Sequence, residues 1–76
     1  MIEEHDRVVL TADVAAEGLR AGDVGTVVHV HTGGKAFEVE FVALDGETVA
    51  VVTVAASDVR AIRPREIPHA RPLAAV

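Results

Sequence analysis

Two valine-rich stretches flank the pair Gly33-Gly34, and their alternation leaves little choice of fold. Val24 to Thr32 runs into the glycines and Lys35 to Leu44 runs out of them. Adjacent glycines accept the positive φ that a two-residue hairpin turn demands. A hairpin closed there pairs Thr32 with Lys35, His31 with Ala36, Val30 with Phe37, His29 with Glu38, Val28 with Val39 and Thr26 with Phe41. In that register Val28, Val30, Phe37, Val39 and Phe41 share one face, and Val27, His29, His31, Glu38 and Glu40 share the other. A slip of one residue would mix apolar and charged side chains, so the pattern itself selects the register.

The rest of the chain supplies strands to pair with this hairpin. Asp6 to Leu10 reads as a first strand, with β-branched residues after a polar start. Thr11 to Gly22 has no sustained period and reads as a folded loop with a helical turn near Asp13 to Glu17, anchored by Leu19. Leu44 to Glu47 is a second hairpin turn, and Thr48 to Val54 is a fourth strand. Both faces of that strand are apolar. We assign Ala50, Val52 and Val54 inward, which turns Val49 and Val51 outward; the alternative shifts the strand by one residue. Ala55 to Asp58 turns the chain into a short fifth strand, Val59 to Ile62. Residues 63–76 hold all three prolines and cannot form a central strand or a regular helix. The expectation is an all-β fold: a small five-stranded SH3-like barrel over residues 1–62 and an extended or disordered tail over 63–76. Closure into a barrel removes the free edges that a valine-rich chain must hide.

With 76 residues the chain can build one thin core and no second domain. It has no cysteine, which excludes disulfides and thiolate metal sites and fits a reducing compartment. The acidic opening, Met1 to Asp6, lacks the basic start and apolar run of a secretory signal. The longest apolar run, Thr48 to Ala56, is far short of the roughly 20 residues that span a bilayer. A soluble, cytoplasmic protein with no membrane contact is expected. The net charge of −5 is uneven: residues 1–59 carry three basic residues against eleven acids, and residues 60–76 carry four arginines against one glutamate. An acidic body repels phosphate, which argues against nucleic-acid binding there; the basic tail could bind an anionic partner or fold back onto its own barrel.

Gly18-Leu19, Gly22-Asp23, Gly25-Thr26-Val27-Val28, Glu38-Val39-Glu40-Phe41 and Glu47 to Val52 together resemble a family of small bacterial proteins of unknown function. The resemblance covers about residues 2–62. It implies an SH3-like barrel, carries no catalytic residues across, and favours a partner-binding role, with an antitoxin- or immunity-like role as a refinement. The Gly-Asp-x-Gly-x-Val run is also loosely similar to KOW-type barrels of ribosomal and transcription proteins. Those modules carry basic loops, and the loops here are acidic or neutral, so shared form does not carry shared function.

Few residues here point to chemistry. His29 and His31 stand two apart on one face with Glu38 opposite His29; imidazole and carboxylate suit zinc or nickel, but alternation places any such pair together. A cross-strand His–Glu pair is the plainer reading. Ser57 is the only serine and has no histidine near it in sequence, so no triad is evident and no enzyme is expected. Gly33-Gly34-Lys35 lacks the spacing and the following helix of a phosphate-binding loop. The chain has no Trp or Tyr, and Phe37 and Phe41 point inward, which argues against proline-peptide grooves and base-stacking platforms. No cofactor or small-molecule substrate is evident. The outer face remains: Val27, Val49 and Val51 beside His29, Glu38 and Glu40 form the expected interaction surface. An exposed apolar patch of that kind marks a protein partner or self-association into a homodimer. The alternative is a KOW-like accessory protein that binds nucleic acid through its basic tail.

Overall fold

The alternating valines become strands in a computed structural model that describes residues 1–73. The strands are β1 (Arg7–Leu10), β2 (Val24–Val30), β3 (Ala36–Val42), β4 (Thr48–Ala55) and β5 (Val59–Ala61). The other regular elements are three short 3₁₀ turns. All five strands join one antiparallel sheet in the order β4-β3-β2-β1-β5. No helix among the described residues is long and apolar enough to cross a membrane.

The order of strands dictates the curl of the sheet. β4 and β5 lie at its two ends, yet only the 3₁₀ turn Ala56–Asp58 separates them in sequence. A flat sheet would hold its first and fifth strands about 19 Å apart. The chain from Ala55 to Val59 reaches at most about 14 Å. The sheet therefore coils until its ends approach, a small barrel-like form. Its inside is a single cluster of Val8, Leu10, Leu19, Val27, Phe37, Val39, Phe41, Val54 and Val59. All five strands and the first loop contribute.

Residues 32–34 form a 3₁₀ turn in place of the expected two-residue turn with Thr32 paired to Lys35, and the hairpin register holds only from His31 to His29 before it breaks. Val30 pairs with Phe37 and His29 with Glu38 as expected, and the His31 N–H donates to the Ala36 carbonyl. The ladder then shifts, and Val27 rather than Val28 faces Val39, while Thr26 faces Glu40. Val28 is the extra residue of a β-bulge, which resets the alternation of everything before it. Val27 is consequently fully buried in the core, and Val28 is 38% exposed. This corrects the expected surface: Val27 is not part of it. Gly25 turns inward as well, and its bare Cα lets the sheet close. A Cβ there would lie 2.5 Å from Val39 Cγ1 and 2.8 Å from Phe41 Cε1.

In β4 the inward assignment of Val54, Val52 and Ala50 agrees with the structure. Val54 is buried, and the other two pack partly against the core. Val51 is 54% exposed. Val49 departs from the expectation. A second shift in the β3–β4 ladder pairs Phe41 with Ala50 and Val42 with Thr48, so Val49 has no partner and leans half-buried against the core.

Candidate functional site

Two outer surfaces result, one open and one strapped. The open one spans β2, β3 and β4. Glu40 stands between Thr26 and Val51, and Glu38 stands between His29 and Thr53. Of the six residues expected on the interaction surface, His29, Glu38, Glu40 and Val51 are brought together here. Val27 and Val49 are not.

The acids on this face are already engaged. Glu38 faces His29 across the ladder but takes its hydrogen bond from His31, with Nε2 2.7 Å from Oε2. The Thr53 hydroxyl donates to the same oxygen. The His31 bond first, and the Thr53 bond second, hold the Glu38 carboxyl below its ordinary value. His29 instead meets the His31 ring edge-on, with centroids 5.3 Å apart. The Thr48 hydroxyl donates to Glu40 Oε2 at 2.7 Å. Among the described residues no three His, Asp or Glu side chains gather into a group that would hold a metal ion. Ser57 lies in the 3₁₀ turn after β4, where its carbonyl accepts from the Thr11 hydroxyl.

The strapped surface spans β2, β1 and β5. Val9 alternates with the core residues Val8 and Leu10, so it points to the outside of the sheet. Its ladder neighbours are Val24 and Arg60. Even so, Val9 is only 7% exposed. The chain beyond β5 is fastened on both sides of Val9. It turns at Pro64-Arg65 and anchors at Glu66, whose carboxylate takes two bonds from the Arg60 guanidinium at 2.9 and 2.7 Å and one from the Arg63 N–H at 2.6 Å. It anchors again at Arg71, which grips both oxygens of Asp23 and donates to the Gly18 carbonyl at 3.1 Å. Arg60 is the ladder neighbour of Val9 on one side and Asp23 precedes its neighbour Val24 on the other, so the two anchors flank it.

Both anchors show in the electrostatics. The Arg60 bonds, then the Arg63 N–H, pull the Glu66 carboxyl down to about 2. The Arg71 bonds hold the Asp23 carboxyl below its ordinary value, against the opposing effect of partial burial. Arg60 and Arg71 are pushed up in turn, each by its partner carboxylate. Two of the four C-terminal arginines are thus neutralised by acids of the same chain, which leaves the tail a weaker attractor of phosphate. Where the strap meets the barrel it leaves an open groove of about 540 Å³, lined by Leu19, Phe41, Val42, Leu44 and Val49 on one side and Pro68 to Arg71 on the other. Sequence reasoning missed the groove, and it held a tail folded back onto the barrel only as an alternative to an extended or disordered one. The signal it had was the opposite charge of body and tail.

Comparison with known proteins gives one finding. The family model described as Domain of unknown function (DUF4926) matches residues 4–61, from the segment before β1 to the end of β5. No curated protein and no solved structure matches the chain.

Proposed function

The chain belongs to the DUF4926 family, and from that premise we propose that it is a non-catalytic protein-interaction module. Its binding face is the open surface of β2, β3 and β4. The observation that carries this reading is the asymmetry of the two outer surfaces. The tail is anchored on both sides of Val9, which is 7% exposed, whereas Val51 is 54% exposed beside its ladder partner Glu40. Apolar side chains next to already hydrogen-bonded carboxylates suit a protein surface of complementary charge. An antitoxin- or immunity-like role is the finer form of this proposal.

Affinity capture from the native host tests it. The chain should retain a defined protein that Glu40→Lys loses, because the reversal puts a positive charge at the centre of the face. Equal capture by both forms would remove the face from the account. Retention of nucleic acid that declines with salt would favour the tail-based alternative.

A further inference from the structure

We infer that the free edge of β4 is a strand-addition site, and that its occupant is a second copy of this chain paired antiparallel through the same edge. The inference goes beyond the binding face proposed above and leaves that face open.

The backbone of β4 settles which groups are free. The Ala56 N–H donates to the Lys35 carbonyl, and the pairs 37/54, 39/52 and 41/50 follow it at steps of two along the same ladder. Antiparallel ladders alternate bonded and non-bonded pairs, so Ala50, Val52 and Val54 turn their backbone groups to β3. Val51, Thr53 and Ala55 turn theirs away. The β2–β3 ladder agrees, since the bond from His31 to Ala36 commits Ala36 and Glu38 to β2. β4 ends the sheet, and among the described residues no backbone group pairs with its outward side.

An open edge invites another strand, and proteins that stay monomeric guard theirs with charge, proline, brevity or cover. β5, at the other end of the sheet, is guarded in this way. It has three residues, Arg60 at its centre, and the anchored tail beside it. β4 has eight residues and neither a charge, a proline nor a glycine among them.

The strand is also complementary to itself. A two-fold axis at Val52 sets Val52 opposite its own copy, Ala50 opposite Val54 and Val51 opposite Thr53. Inward residues then meet inward residues on both sides of the seam, as pairing requires. Val51 and Thr53, whose backbone groups are free, become the bonded pairs. The axis also stays clear of the irregularity at Val49. No charged residue belongs to either strand of the seam, and the nearest carboxylates, Glu38 and Glu40 of β3, are already bound to the Thr53 and Thr48 hydroxyls.

Sedimentation velocity across the micromolar range tests this, with residue-resolved amide exchange. The chain should pass from monomer to dimer, and the Val51 and Thr53 amides should gain protection as it does. Val51→Pro removes an outward N–H and no ladder bond, a position where an edge strand tolerates proline. It should remain folded and monomeric. Should it fail to fold, Val51→Lys and Thr53→Lys place edge charges without altering the backbone and should likewise be monomeric. Glu40→Lys, which abolishes capture under the proposed function, should still dimerise. A chain that is monomeric throughout overturns the inference while leaving the binding face untouched. A dimer that Glu40→Lys dissociates and Val51→Pro does not also overturns it.

Discussion

Arg71 closes an ion pair on Asp23 across 48 residues of chain, with Nε 2.9 Å from Oδ1. The contact joins the far end of the tail to the turn that starts β2. It converts a proline-containing segment into a strap, although residues 62–73 add no backbone hydrogen bond to the sheet.

A strap held by side chains can be removed without losing the sheet. Truncation after Ile62 should leave the β-sheet signature by circular dichroism intact and lower the thermal midpoint. Val9 should become accessible, which a Val9→Cys form would report as faster thiol labelling in the truncated chain. Loss of all structure on truncation would make the tail part of the folding unit.

Acid should release the strap before it unfolds the core. A carboxyl depressed by folding stabilises the fold fully above its unfolded value and ceases to do so as pH falls through its folded value. For Glu66 the window runs from 4.5 down to about 2. Asp23 follows the same sign below its ordinary 3.8. The Arg71 Nε–H resonance should therefore hold its bound position at neutral pH and move to that of a free arginine only as pH falls through the lowered Asp23 value, below 3.8. Asp23→Asn should show the free position at every pH. Movement near pH 6.5, where histidine titrates, would assign the control to another group.

The bulge gives a sharp test of register. Val27→Ala removes a fully buried side chain and should cost about 1.5 kcal/mol or more. Val28→Ala, one residue on, should stay within about 0.5 kcal/mol of the parent. Urea midpoints that rank the two in the opposite order would restore the unbroken hairpin.

That pair of valines also marks where sequence reading stops. Alternation identified β2, β3 and β4, the pairing at His29 and Glu38, and the inward set on β4. It could not see the bulge, because Val27 and Val28 are the same residue and an insertion between them leaves the apolar pattern unchanged. Val49 was misassigned for the same reason, in a strand whose two faces are both apolar. The tail was harder still. Its prolines exclude a ladder, but the pairing of Arg71 with Asp23 depends on where a coiled sheet brings residues far apart in sequence. The open face was legible through His29, Glu38, Glu40 and Val51, although the bond from His31 to Glu38 was not, since it runs diagonally across the pair.

Gly25 should be the least replaceable glycine for a reason unrelated to backbone freedom. Its added Cβ would meet Val39, Phe41 and the Glu40 carbonyl, all within 2.9 Å. Gly25→Ala should destabilise by about 1–3 kcal/mol through overpacking. Gly34, at φ 67° with open space around it, should lose about 1 kcal/mol on the same change. Equal denaturation midpoints for the two variants would show that the sheet relaxes around position 25.

The proposed role rests on the open face meeting another protein in the cell. Site-specific photo-crosslinking tests that most directly, with a diazirine residue placed at His29 on the face or at Ile67 on the strap, 88% exposed. The account predicts a discrete protein adduct from position 29 and none from position 67. Adducts from position 67 alone, or adducts to nucleic acid, would contradict it.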